Sequence, residues 1–162
     1  SSTSRGLGDV YKRQVQGLIL AGSSGLYESA MGNSYPRRGD RDYIADRIRD
    51  VFYVKEVATE ELIDEVFATV NDRNKAIKTL AISKSAIRHN MSNDIKEFNV
   101  PTCIVWGRQD EVTPPEVADK FNDLMPNSEL YWIDECGHAA MMERPEEFNS
   151  IIQEWLNKLL LN

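Results

Sequence analysis

The chain has 162 residues, room for one domain, and 41% of them are hydrophobic while 28% are charged, as in ordinary globular proteins. Its formal net charge of −7 argues against nucleic-acid binding, which needs a basic face, and no apolar run approaches the roughly 18 residues of a membrane span. The two cysteines, Cys103 and Cys136, lie in separate segments without a CxxC partner. We therefore expect no disulfide framework and no zinc site, and a reducing, cytoplasmic location.

The N-terminal segment SSTSRGLGDVYKRQ shows neither a helical nor an alternating period. It resembles a translated sequencing-library adapter: Asp9 to Gln14 correspond to codons that read like the end of a transposase adapter. Segments of this kind are excluded from fold reasoning. We expect a non-native, irregular tail over residues 1–14, native sequence from near Val15, and a truncated gene whose upstream part is missing.

The first predicted element is a short strand within a core segment at residues 15–25. Gly17 to Ala21 form a continuous apolar run bounded by glycines, which is typical of a strand buried on both faces of a parallel sheet. Residues 22–39 are rich in Gly, Ser, Asn and Pro, and this composition predicts a loop.

Three amphipathic helices are predicted next. Asp40 caps the first, which runs to about Tyr53; Thr59 caps the second; the third covers about 72–91. No strand separates them, so residues 26–95 are predicted to form a helical subdomain.

The remaining segment, residues 96–162, alternates strands with helices. Pro101 to Trp106 and Leu130 to Ile133 predict buried strands, and Thr113 with Glu116 predicts a capping box for the helix between them. A last amphipathic helix follows. This alternation indicates an α/β protein with a parallel sheet.

Two polar residues follow the ends of these two strands. Asp110 comes just after the first strand and His138 just after the second. Sites in parallel sheets form outside the carboxyl ends of the strands, so both residues lie on the functional edge. A carboxylate there orients an imidazole and stabilises its protonated form, while the other ring nitrogen acts as general base. We therefore expect the two side chains to be neighbours.

The run from Gly17 to Asn162 resembles the C-terminal half of an α/β-hydrolase with a helical lid, of the serine hydrolase or meta-cleavage-product hydrolase-like superfamily. The matching motifs are Val100-Pro101-Thr102, Trp106-Gly107-Arg108-Gln109-Asp110, Pro114-Pro115, Gly137-His138-Ala139, Glu143-Arg144-Pro145 and a last helix with Trp155. The resemblance implies that Asp110 is the triad acid and His138 the triad base. It also implies a partial α/β-hydrolase fold: the last three parallel strands of the sheet, flanking helices, and an inserted lid at 26–95.

The stretch Ala21-Gly22-Ser23-Ser24-Gly25 is close to the Gly-x-Ser-x-Gly pattern of a nucleophile elbow. Ser23 stands in the right chain order for a nucleophile. However, an elbow enters a helix at once, and another strand belongs between nucleophile and acid, whereas residues 26–100 indicate helix and loop. The preferred interpretation is that Ser23 and Ser24 end the strand and line the pocket, with no nucleophile in this chain; Ser23 as the nucleophile is the less favoured alternative.

Several residues near His138 have two interpretations. Met141 is a candidate pocket-lining residue, although packing under the last helix is favoured for Met141 and Met142. Glu143 is expected to support the histidine loop rather than to transfer a proton, and Cys136 is expected to pack. We expect no metal and no cofactor; the expected partner is a small-molecule substrate, with no nucleic acid and no membrane, and the oligomeric state stays open.

Three functions compete at this point. The first is hydrolysis of a small ester, acyl or C–C substrate through a nucleophile–His–Asp triad, with this chain inactive by itself. The second is a haloalkane dehalogenase-like or epoxide hydrolase-like reaction with an aspartate nucleophile. The third is a non-catalytic protein that uses the same pocket to bind a ligand.

Overall fold

The computed structural model describes residues 15–26, 37–88 and 90–161. The predicted tail at 1–14 lies outside these ranges, as does the part of the predicted lid at 27–36. The described residues contain a parallel sheet of three strands in the order β1 (Leu18–Ala21), β2 (Thr102–Gly107) and β3 (Ser128–Ile133).

Six α-helices accompany this sheet within the described ranges: α1 (Arg41–Val51), α2 (Glu60–Asn71), α3 (Arg73–Arg88), α4 (Pro115–Leu124), α5 (Ala140–Glu143) and α6 (Pro145–Leu161). Short 3₁₀ turns cover Lys55–Val57 and Ile95–Glu97. The parallel sheet and flanking helices confirm the predicted partial α/β-hydrolase fold. None of the described helices is both long and apolar enough to cross a bilayer.

The hydrophobic core lies on both faces of β2, whose six residues are all buried. Successive side chains of a strand point to opposite faces. On one face Ile104 and Trp106 pack with α4, which contributes Phe121. On the other face Cys103 and Val105 pack with residues of α6 that include Phe148 and Trp155. The central strand is therefore covered from both sides. The predicted burial of β1 on both faces is wrong, since β1 is an edge of the described sheet and Ile19 is 39% exposed.

The helices α1 and α2 pack around a separate hydrophobic cluster that includes Ile44, Ile48 and Ile63. The two predicted caps are confirmed. The carboxylate of Asp40 accepts a hydrogen bond from Tyr43 N at 3.1 Å, and the hydroxyl of Thr59 accepts one from Leu62 N at 3.2 Å. The definition of residues 26–95 as a lid stays a prediction.

The predicted capping box of α4 is wrong. The residue that precedes this helix is Pro114, and no side chain caps it. The hydroxyl of Thr113 instead donates a hydrogen bond to Asp110 Oδ2 at 2.8 Å. In a capping box this hydroxyl would accept a hydrogen bond from a backbone N–H of the helix. Here it is directed at the buried carboxylate of Asp110, and hydrogen bonds to ionised groups are stronger than those between neutral groups.

Candidate active site

Asp110 lies in the turn that follows β2 and is only 2% exposed. Its Oδ1 accepts hydrogen bonds from the backbone N–H groups of Val112 and Thr113, both at 2.9 Å. Its Oδ2 accepts from the Thr113 hydroxyl at 2.8 Å and lies 2.9 Å from His138 Nδ1. A buried carboxylate needs partners of this kind. The side chain is consequently fixed in one orientation, with one oxygen directed at the histidine.

His138 lies in the loop after β3, and its side chain is 28% exposed. Because the carboxylate of Asp110 only accepts hydrogen bonds, we assign the Nδ1 proton to the bond with Asp110 Oδ2. Nδ1 also lies 3.3 Å from Thr113 Oγ1. The prediction that Asp110 and His138 are side-chain neighbours is confirmed. This tautomer leaves Nε2 as the acceptor that a reacting group would meet.

The loops after β2 and β3 are joined by one backbone–backbone hydrogen bond and one bond from backbone to side chain. Gln109 N donates to Cys136 O at 3.0 Å, and Cys136 N donates to Gln109 Oε1 at the same distance. Gly107 allows this approach, because a Cβ atom there would overlap the carbonyl oxygens of Gly137 and Cys136. Asp110 and His138 therefore belong to one tightly connected pair of loops.

The end of β1 also lies beside His138. Gly22 has a φ of 50°, which favours glycine. A Cβ atom at this position would lie 2.8 Å from His138 Nδ1 and 2.7 Å from the His138 carbonyl oxygen. The glycine thus gives the imidazole the space that it occupies.

Glu143 is an acid at this site that is only 8% exposed. Its Oε1 accepts a hydrogen bond from Gly137 N at 2.8 Å, so the expected contact with the histidine loop is present. Its Oε2 accepts from Tyr53 N at 2.8 Å and from Val54 N at 3.1 Å. Sequence reasoning missed this second set of contacts, because the residues lie some 90 positions away and no local pattern joins them.

The two serines after β1 occupy different environments. Ser23 is partly buried, and its hydroxyl donates a hydrogen bond to Ala21 O at 3.4 Å. Ser24 is exposed. Residues 22–26 form bends and irregular backbone rather than a helix, and within the described ranges Ser23 makes no hydrogen bond to His138. Their pocket-lining role, and the absence of a nucleophile from this chain, stay predictions.

The favoured packing of Met141 and Met142 under the last helix is wrong, since their side chains are 43% and 47% exposed. The helix α5 has only four residues, and it turns Ala140 and Glu143 inward instead. A pocket-lining role for Met141 stays a prediction.

Cys136 is fully buried and close to the site. Burial, together with the negative charge of Glu143, raises the pKa of its thiol to about 12. The reactive form of a cysteine is the thiolate. The thiol is therefore inert near neutral pH, in agreement with the packing interpretation. Among the residues that the structure describes, no group of three or more His, Cys, Asp and Glu side chains is arranged to hold a metal ion.

A groove of about 1040 Å³ lies at the other end of the strands. Its lining includes Leu18 and Pro101, at the amino ends of β1 and β2, together with Phe98. Because His138 follows the carboxyl end of β3, this groove is separate from the Asp110–His138 pair, and we assign it no part in the chemistry.

Comparison with known proteins agrees with this fold. Residues 64–145, just over half of the chain, match the profile of the alpha/beta hydrolase fold. A Pseudomonas hydrolase of 2-hydroxy-6-oxononadienedioate and 2-hydroxy-6-oxononatrienedioate is 29% identical over 113 residues, which are 68% of this chain and 40% of that protein.

Two solved structures are also similar. MGS-MChE2, an alpha/beta hydrolase enzyme from the metagenome of lagoon sediments at Mar Chica, Morocco, is 48% identical with a TM-score of 0.62, and the match covers 88% of this chain and 50% of that one. CarC, a serine hydrolase involved in carbazole degradation, is 27% identical with a TM-score of 0.74, covering 94% and 58%.

The chain therefore belongs to the α/β-hydrolase fold family, as its motifs predict. It spans between 40% and 58% of the length of these three proteins.

Proposed function

We propose that this chain is part of a hydrolase in which Asp110 and His138 are the acid and the base of a nucleophile–His–Asp triad. The observation that carries this proposal is the 2.9 Å contact between His138 Nδ1 and Asp110 Oδ2, with the carboxylate buried and the ring partly exposed. Family membership supplies the reaction class. The proposed substrates are small ester, acyl or C–C compounds.

The geometry suits each proton transfer of such a reaction. His138 Nε2 takes the proton of a nucleophile hydroxyl as the oxygen attacks the carbonyl carbon, and Asp110 stabilises the imidazolium that forms. The proton then passes from Nε2 to the leaving group as the bond between that group and the carbonyl carbon breaks, which leaves the acyl group on the nucleophile. Water attacks this acyl intermediate in the second half of the cycle, and His138 takes the water proton and returns it to the nucleophile oxygen as the acyl product departs. The backbone donors of Val112 and Thr113 keep Asp110 in place throughout.

In this proposal the nucleophile is a serine that precedes β1 in the whole protein. Three observations support that choice over Ser23: β1 pairs directly with β2, residues 22–26 form bends and irregular backbone rather than a helix, and the Ser23 hydroxyl donates a hydrogen bond to Ala21 O. The similar CarC enzyme is named a serine hydrolase, which favours serine over aspartate at the elbow.

The first test uses an aryl ester, 4-nitrophenyl acetate, with the 162-residue chain and its Ser23→Ala variant. We expect no turnover above the buffer rate for either protein, since a triad without its nucleophile and oxyanion donors gives little catalysis. Turnover by the chain that Ser23→Ala abolishes would identify Ser23 as the nucleophile and reject the proposed position.

The second test joins residues 15–162 to the part of MGS-MChE2 that precedes its strand equivalent to β1. The fusion is assayed with the aryl ester and with 2-hydroxy-6-oxononadienedioate, after which the Pseudomonas relative is named. We expect turnover, and we expect His138→Ala to lower kcat by roughly 10³-fold or more. Glu147→Ala, a change of an exposed acid on α6, is the matched control and should have no effect.

Two results would contradict the triad. A fusion whose turnover survives His138→Ala would show that another base operates. A folded fusion that binds the substrate in a thermal-shift measurement but never converts it would favour the ligand-binding alternative.

A further inference from the structure

We propose that Glu143 is a positioning residue that ties the catalytic histidine to the end of helix α1, so that movement of α1 reaches His138. This proposal rests on the proposed function, because it concerns how the triad histidine is held. The carboxylate divides its two oxygens between two parts of the molecule. Oε1 accepts a hydrogen bond from Gly137 N in the histidine loop. Oε2 accepts hydrogen bonds from Tyr53 N and Val54 N in the segment after α1.

A second contact joins the same two segments. The backbone N–H of His138 donates to Val51 O, the last residue of α1, at 2.9 Å. Gly137 makes this approach possible, because a Cβ atom there would lie 2.7 Å from Val51 O and 2.8 Å from Tyr53 N. The end of α1 therefore rests directly on the histidine loop.

The chemistry of the side chain explains why this position holds an acid. Three N–H donors converge on it from two directions, and an ionised carboxylate presents acceptors in both. A glutamine of the same shape has one oxygen and one NH₂ group. In either orientation its NH₂ faces at least one backbone N–H, so a Glu143→Gln variant loses one side of the connection and leaves a buried donor without a partner.

A substrate that displaces α1 would consequently pull on Gly137 and on the backbone of His138. The Asp110–His138 hydrogen bond depends on where that backbone lies. Glu143 thus makes the alignment of the base conditional on the position of a helix that belongs to the predicted lid.

The experiment is NMR of the 162-residue chain, which needs no turnover. We compare Glu143→Gln with Glu147→Gln, the same substitution at an exposed position of α6. We expect amide exchange at Gly137, His138, Tyr53 and Val54 to be about tenfold faster or more in Glu143→Gln only. The Nδ1–H resonance of His138 should also weaken, while exchange in the buried strand β2 stays unchanged.

The readouts separate positioning from general support of the fold. Faster exchange throughout β2, or an unchanged Nδ1–H resonance beside faster exchange at Tyr53 and Val54, would overturn the proposal.

If Glu143→Gln does not fold, Val54→Pro replaces it, since Val54 has a φ of −83° near the value that proline requires. This variant removes one donor to Oε2, and exchange at Gly137 and His138 should rise about threefold; no rise would reject the connection. An inactive chain or fusion leaves these NMR results unaffected, so failure of the proposed function is recognised separately.

Discussion

The segment from β2 to α6 and the helices α1 to α3 are built in different ways. In the first, every residue of β2 is buried and the catalytic candidates follow strand ends that are joined by backbone hydrogen bonds. In the second, surface ion pairs connect α1 to α2, with Arg41 lying 2.7 Å from Glu60 and 2.6 Å from Asp64, and α3 leaves apolar side chains exposed. The comparison teaches that the Asp110–His138 pair is built on the buried strand segment, while the helical region reaches this pair through the end of α1.

The largest expected effect follows from replacing a glycine in each region. Gly107→Ala would force a Cβ atom into the carbonyl oxygens of Gly137 and Cys136, and we expect it to lower the free energy of unfolding by about 4 kcal/mol or to prevent folding. Gly39→Ala has open space around it and should change stability by less than about 0.5 kcal/mol. Urea denaturation measures the free energy of unfolding of both variants. Equal losses would contradict the difference between the two regions.

A core truncation gives the next largest difference. Ile104 on β2 is fully buried, while Ile77 on α3 is 57% exposed. Ile104→Ala should lower the free energy of unfolding by about 3 kcal/mol, because it removes buried methyl groups and leaves a cavity. Ile77→Ala should change the unfolding midpoint very little. A large loss on Ile77→Ala would mean that α3 packs against another surface under the conditions of the measurement.

An intermediate effect is expected where β1 meets the histidine. Gly22→Ala places a side chain on a residue with a φ of 50° and against the His138 ring. The strained backbone alone should lower the free energy of unfolding by about 1 to 2 kcal/mol. The His138 Nδ1–H resonance should shift as well, which Gly39→Ala does not cause. An unshifted resonance would show that the backbone at residue 22 moves and that the imidazole keeps its place.

The smallest expected effect concerns the ion pairs of α1. Arg41→Met removes an exposed guanidinium from two carboxylates on α2. Exposed pairs contribute little and are screened by salt. Thermal unfolding in dilute buffer should therefore show a small decrease in Tm, and the decrease should vanish in about 1 M NaCl. A decrease that persists in salt would indicate a packing role for the arginine stem.

Local rules account for the elements that the sequence predicted correctly. The caps at Asp40 and Thr59 depend on residues three positions away, and the apolar runs at β2 and β3 form strands as predicted. The predicted burial holds throughout β2 but not throughout β3, of which only Ile133 is buried. The pairing of Asp110 with His138 followed from the position of each residue at a strand end, since parallel strands bring those ends to one edge.

The remainder depended on contacts that no local pattern contains. Thr113 has a suitable sequence for a cap, but the fold brings the carboxylate of Asp110 within reach of its hydroxyl. The contacts of Glu143 Oε2 depend on the return of the chain to Tyr53 and Val54. Met142 is exposed because a single turn of helix has only one inward face.

The two buried thiols allow opening of the sheet to be measured in buffer without denaturant. Cys103 lies on β2 and Cys136 in the histidine loop; both are fully buried, and burial raises their pKa values to about 11 and about 12. A thiol-specific reagent reacts with thiolate, so labelling near neutral pH proceeds only through molecules whose core has opened. The chain has no other cysteine, and unfolding confined to α1, α2 and α3 would expose neither thiol unless it also released the histidine loop. Labelling kinetics at the two sites, resolved by mass spectrometry, therefore distinguish unfolding of the helical region from opening of the sheet.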